Sequence, residues 1–174
     1  VATFAGGAPT GVEIEPNDTT AQVITSGESI VGSISTASDK DYYAITTNSA
    51  GTLTVNFQTE ISQQRGYHFF ILDETNNILA SDICDYYCVT SRGESQSISV
   101  GLGAAGTYRV FVRSESSSFR PSGSYTMVAT FAGGAPTGVE IEPNDTTAQV
   151  ITSGESIVGS ISTASDKDYY AITT

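Results

Sequence analysis

The sequence predicts an all-β chain: an antiparallel β-sandwich or jelly roll of eight or nine short strands, tandemly repeated with a period of 127 residues. Three observations predict it. Apolar residues alternate with period two through nearly every apolar run. Turn-forming clusters separate those runs, and no stretch carries a 3.6-residue period. Finally, residues 1–47 return letter for letter as residues 128–174, so the chain holds one full unit and the opening third of the next.

In order along the chain, Gln22 to Thr25, Ile30 to Ile34 and Tyr42 to Ile45 are short strand candidates. Leu53, Val55 and Phe57 share one face of the next strand. Tyr67 to Leu72 is apolar on both faces and reads as a central strand. Ile78 to Ser81 follows a turn at 73–77 of sequence Asp-Glu-Thr-Asn-Asn. Ile98, Val100 and Leu102 alternate before a Gly-Ala-Ala-Gly turn at 103–106. Tyr108, Val110 and Val112 alternate with outward Arg109 and Arg113. Tyr125, Met127 and Ala129 alternate in a last strand that ends at Phe131.

That last strand straddles residue 127, so the repeat offset does not mark the domain edges. Residues 1–11 read as the end of a preceding repeat and its Gly/Pro linker, 12–131 as the complete sandwich, 132–138 as a second linker, and 139–174 as the incomplete first third of the next repeat. Enzymes rarely need identical active domains in series. Stalks, adhesins and fibres do, because their output is length and repeated contact.

Charge narrows the partners. The chain carries 19 Asp and Glu against 7 Lys and Arg, a formal net charge of −12. Residues 1–127 hold 13 acids and 6 bases, and residues 128–174 hold 6 acids and 1 base, so acid is concentrated in the repeated segment. No basic surface is available for nucleic acid. No apolar run is long enough for membrane insertion. An acidic chain rich in Gly, Ser and Thr, with one Met and no Trp, fits an extracellular or cell-surface protein. A fragment of an array would lack an export signal in any case.

Two cysteines, Cys84 and Cys88, flank Asp-Tyr-Tyr. In an exported protein this spacing suits a local disulfide that pins a loop. Half of a metal site is the alternative, but the only histidine is His68 and no second cysteine pair exists. Intact mass after alkylation without reductant is expected to show no modified thiol; two alkylated cysteines would contradict the pairing. Tyr86 and Tyr87, displayed between the cysteines, are candidates for surface contact or for capping the sandwich edge.

The densest polar cluster is Glu13-Ile14-Glu15-Pro16-Asn17-Asp18, followed some twenty residues later by Ser38-Asp39-Lys40-Asp41-Tyr42-Tyr43. Carboxylates and an amide in two short loops match the all-oxygen ligand set of Ca²⁺. The alternative is a solvated linker with a capping Asn-Asp-Thr. Asn17-Asp18-Thr19 is also a glycosylation sequon.

Order and spacing add to this reading. Glu-Pro-Asn-Asp-Thr, then Asp-Lys-Asp-Tyr-Tyr, Gly-Thr-Leu-Thr-Val, an Ile-Leu-Asp…Asn-Asn-Ile-Leu-Ala-Ser hairpin, Gly-Thr-Tyr-Arg-Val and Gly-Ser-Tyr-Thr follow one another across residues 13–131. This succession resembles the bacterial pre-peptidase C-terminal domain, a relative of the collagen-binding domains of clostridial collagenases. The resemblance implies a non-catalytic β-sandwich of the kind appended to secreted proteases and surface proteins. It also implies calcium held by Glu13, Glu15, Asn17, Asp18, Asp39 and Asp41, with Glu140, Glu142, Asn144, Asp145, Asp166 and Asp168 as the second set. One departure is Lys40, whose ammonium stands between the two aspartates and would oppose a nearby cation, a two-ion site above all. Collagen binding does not carry over, because it depends on an aromatic strand face that is not matched in this sequence.

No catalytic constellation is present. His68 lies between Tyr67 and Phe69 as a packed strand residue, no Gly-x-Ser-x-Gly elbow occurs, and the paired acids lack the Trp-lined cleft of a glycosidase. The expected function is a non-catalytic structural module of an extracellular tandem-repeat filament, stalk or giant surface adhesin. Its partners are neighbouring copies head-to-tail, and its joints are stiffened by calcium. The alternative is a ligand-binding accessory domain of a secreted enzyme, directed at a polysaccharide or a protein.

Overall fold

The computed structural model describes residues 11–59, 66–82, 95–115, 118, 121 and 123–173. Cys84, Cys88, Tyr86 and Tyr87 lie outside these residues. The described residues are all β, with thirteen strands and no helix.

Ten strands belong to the first unit: β1 (Gly11–Val12), β2 (Gln22–Val23), β3 (Ser29–Gly32), β4 (Lys40–Thr47), β5 (Gly51–Thr59), β6 (Tyr67–Leu72), β7 (Ile78–Asp82), β8 (Ser95–Leu102), β9 (Gly106–Ser114) and β10 (Tyr125–Gly133). Three lie in the second copy: β11 (Ile141–Glu142), β12 (Gln149–Thr152) and β13 (Tyr170–Thr173). One sheet has the order β1-β3-β10-β5-β8-β11, the other β2-β4-β9-β6-β7.

The two sheets close on one apolar layer. β5 alternates buried and half-buried positions along its whole length, with Leu53, Val55 and Phe57 inward. Tyr43, Ile45, Phe69, Ile71, Val110 and Val112 face them from the other sheet. Phe57 stacks on Phe69 at 4.7 Å between ring centroids and on Tyr125 at 4.9 Å, which ties the sheets together at one end. β6 is buried at all six positions, as its unbroken apolar run requires, and lies between β9 and β7. On the outer side of that sheet Tyr42, Phe111 and Phe70 form a stacked row, with Arg113 over Phe70 at 5.5 Å. The sequence pattern missed this row because its members come from three strands.

Direction differs from expectation at the edges. The long pairs are antiparallel, but β1 runs parallel to β3 and β2 parallel to β4. Both are two-residue strands at the edges of their sheets, and period-two patterning carries no information on direction.

The second copy keeps the local structure of the first. β12 pairs with β13 in the register of β2 with β4: Gln149 opposes Tyr170 as Gln22 opposes Tyr43. The counterpart of β3 is reduced to a single bridge, Val139 to Val158, because no strand equivalent to β10 lies beside it among the described residues. Side chains buried in the first copy are exposed in the second: Ile34 is 1% exposed and Ile45 2%, against 61% for Ile161 and 63% for Ile172.

Candidate metal centre

The acids converge because a short extended linker lies beside the strand that carries the aspartates. β1 is pinned to β3, and the Gln22 side chain straps the linker to β2: its Oε1 accepts from the Ile14 N–H at 2.8 Å and its Nε2 donates to the Val12 carbonyl at 3.1 Å. Pro16 follows a cis peptide bond that turns the chain after Glu15. Asn17, 1% exposed, closes the turn by donating its N–H to Glu15 Oε2 at 2.9 Å and its Nδ2 to Glu13 Oε1 at 3.2 Å.

From the other side, the turn before β4 presents Asp39, which accepts from the N–H groups of Ser35 and Lys40. Asp18 accepts from the same Lys40 N–H at 3.0 Å. Asp41, fully buried, follows one step into β4. Strand alternation turns the exposed Lys40 side chain to the face opposite Asp41, so its ammonium is not interposed between the aspartates.

Carboxylate oxygens of Glu13, Glu15 and Asp41 lie within 4.8 Å of one another, and so do those of Glu15, Asp18 and Asp39; Glu15 belongs to both groups. All six residues singled out in the sequence are therefore brought into one neighbourhood. In the second copy Glu140, Glu142 and Asp168 form the same first group. The hydrogen bonds recur as well: Asn144 Nδ2 to Glu140 Oε1 at 2.9 Å, Asn144 N–H to Glu142 Oε2 at 3.1 Å, Lys167 N–H to Asp145 Oδ1 at 3.1 Å, and Ser162 N–H to Asp166 Oδ2 at 2.5 Å. The scaffold of the acids is thus local to the repeated segment.

What the body of the unit adds is phenolic. Tyr43 OH donates to Glu13 Oε1 at 2.9 Å, Tyr43 and Tyr125 hydroxyls are 2.6 Å apart, and Tyr125 OH is bonded to Asp41 Oδ2 at 2.5 Å. Four oxygens in a row make three short contacts, and two phenols bring only two protons. The third proton belongs to a carboxyl. Burial, opposed by the Tyr125 hydrogen bond and reinforced by the negative charge of Glu13, pushes Asp41 up to about 9, so it is the carboxyl that burial favours in the protonated form. Burial raises Tyr43 and Tyr125 as well, so both stay neutral. In the second copy, burial and Glu140 push Asp168 up to about 6, and burial pushes Glu142 up to about 7.

Sequence reasoning did not find the two tyrosines. Tyr43 was within reach, because it stands two residues after Asp41 on the same strand face. Tyr125 was not: it lies 84 residues from Asp41 and in the other sheet, and only the packing of the two sheets brings it there.

Buried acceptor atoms remain without hydrogen-bond partners in this cluster: Asn17 Oδ1 and Asp41 Oδ1 in the first copy, and Glu142 Oε1, Asn144 Oδ1 and Asp168 Oδ1 in the second. An acceptor-only oxygen in such a place calls for a donor or a cation. Hard oxygen donors, several of them anionic and in groups under 5 Å across, fit an ion of the Ca²⁺ class and offer nothing to a soft metal.

The second cluster lies against the first unit. Glu142, Pro143, Asp145, Ser162, Thr163, Ser165 and Asp166 line a groove of about 350 Å³ whose other wall is Asn77, Ile78 and Leu79. Ser162 Oγ donates to the Ile78 carbonyl at 3.1 Å, and Ser81 Oγ donates to the Ser162 carbonyl at 3.4 Å. Glu15 is exposed, whereas its counterpart Glu142 is 7% exposed.

No family model and no curated protein matches the chain. Among solved structures it is similar to the pre-peptidase C-terminal domain of a collagenase from Bacillus anthracis, with 18% identity over 68% of this chain and 100% of that one and a TM-score of 0.49. It is also similar to PliG, a periplasmic inhibitor of g-type lysozyme from Aeromonas hydrophila, with 14% identity over 65% of this chain and 100% of that one and a TM-score of 0.45. A third is an adhesin domain of Lys-gingipain from Porphyromonas gingivalis, with 15% identity over 55% of this chain and 65% of that one and a TM-score of 0.40. Likenesses at this level carry no argument about function, which rests on the residues of this chain.

Proposed function

We propose that this chain is a non-catalytic structural module of an extracellular tandem-repeat filament, stalk or surface adhesin whose joints between units are stiffened by calcium. The observation that carries the reading is the second copy. A segment identical to the head of the first unit lies on the edge of that unit, and its acids Glu142, Asp145 and Asp166 line the groove between the two.

Calcium in this reading is held by Glu13, Glu15, Asn17, Asp18, Asp39 and Asp41 in one unit. In the next unit Glu140, Glu142, Asn144, Asp145, Asp166 and Asp168 hold it. The ion supplies positive charge to carboxylates that otherwise repel one another or keep a proton. The residues position the linker against the sandwich, so that ion binding fixes the angle at which one unit leaves the last.

Electron microscopy of the native material tests the assembly. A fibre with one repeating axial spacing is expected; dispersed single particles with no repeating spacing would overturn the reading.

A further inference from the structure

We infer that successive units share one hydrogen-bonded β-sheet, joined through the backbone of Glu140, with Gly101 as the seat that admits the incoming strand. The extension to a long array rests on the filament reading above; the joint itself lies within this chain.

Glu140 divides its backbone between two units. Its N–H donates to the Val158 carbonyl of its own unit at 2.9 Å, and its carbonyl accepts from the Gly101 N–H of the preceding unit at 2.6 Å. Beyond it, β11 runs parallel to β8, with Ile141 opposite Gly101 and Glu142 opposite Leu102. The strand that opens the second unit is thereby the sixth strand of the first unit's sheet.

Gly101 is shaped for this contact. A Cβ at that position would lie 2.8 Å from the Glu140 carbonyl oxygen, 2.8 Å from Ile141 Cγ1 and 3.0 Å from Pro136 Cβ. Its three nearest neighbours all belong to the arriving linker and strand. A glycine inside a strand often marks a close backbone approach, and here the approaching backbone is the next repeat.

The complementary surface is already present at the other end. Glu13 donates its N–H to the Val31 carbonyl at 2.9 Å, as Glu140 does to Val158. Yet Val12 is 71% exposed and Ile14 68%, whereas their counterparts are half-buried: Ile141 where β11 meets β8, and Val139 just before it. The occupant that fits the exposed edge at Glu13, Ile14 and Glu15 is therefore the β8 edge of another copy of this unit. Each unit offers one edge of each kind, so the contact is head-to-tail and does not consume itself. It also covers two strand edges that would otherwise be open to indiscriminate pairing.

Residue-resolved amide exchange on the 174-residue chain tests the joint. The Gly101 N–H faces the incoming strand, away from β5. It is expected to be protected together with Val100 and Leu102. Gly101→Val is expected to speed exchange across 140–142 by roughly tenfold or more while β5 and β10 exchange as before. An open Gly101 amide in the parent chain would overturn the inference, and so would unchanged protection of 140–142 in the variant. If the variant loosens β5 as well, the parent measurement at Gly101 decides alone. A protected Gly101 in material that forms no fibre would sink the filament and leave the joint. An open Gly101 within a regular fibre would do the reverse.

Discussion

Chelation is expected to lower the melting temperature of the calcium-loaded chain, Asp41→Asn to remove the part that the first unit contributes, and Asp41→Asn with Asp168→Asn to abolish the response. An ion that binds only the folded state at a hundredfold excess over its dissociation constant contributes about 2.7 kcal/mol, a shift on the order of 8 °C for a domain of this size. Asparagine keeps the shape of the protonated carboxyl and removes the charge that a cation needs. Identical melting curves with and without chelator would contradict the metal centre.

The same aspartate sets the sign of the pH response. Its folded value of about 9 stands above the ordinary 3.8, so in chelator the folded chain keeps a proton that the unfolded chain releases. The Asp41 contribution is then fully present below about pH 4 and is lost as pH rises toward about 9. With calcium bound the carboxylate is ionised in the folded and unfolded chains alike, so that dependence disappears; because the ion competes with the proton, the stabilisation by calcium at pH 8 exceeds that at pH 6. In Asp41→Asn both trends flatten. A calcium effect of equal size at both pH values would remove Asp41 from the site.

The second large effect concerns the incomplete unit. Appending another copy of residues 48–127 after Thr174 is expected to convert the second copy from exposed sheet to core. Ile161, Tyr170 and Ile172 are 61%, 38% and 63% exposed, while the same residues in the first copy, Ile34, Tyr43 and Ile45, are at most 2% exposed. Each such burial is worth roughly 1.5–3 kcal/mol. Amide protection across 156–173 should therefore rise by several orders of magnitude, and limited proteolysis there should stop. Cleavage at the same rate in both chains would show that the body does not accept this segment.

Much of this was legible in the residues. The alternation of Leu53, Val55 and Phe57 predicts a half-buried strand, and β5 is one. The unbroken run from Tyr67 to Leu72 predicts an interior strand, and β6 lies inside its sheet. The acids of Glu13 to Asp18 and of Asp39 and Asp41 were visible as a cluster because carboxylates in two short loops have few structural reasons to gather. Three things were not legible. Parallel direction at β1 and β2 is decided by the path of the chain between short edge strands, which hydrophobic periodicity does not encode. The Tyr43–Tyr125 bridge to Asp41 is decided by the packing of two sheets whose strands are far apart in sequence. The seat at Gly101 was announced only by a glycine between Val100 and Leu102, a signal that names a close approach without naming what approaches.

Small-angle scattering from a chain of three complete units, with calcium and with chelator, tests the central claim most directly. An extended particle with one sharply defined distance between neighbouring units is expected in calcium, broadening when the ion is removed. Units distributed as freely jointed beads in both conditions would contradict it.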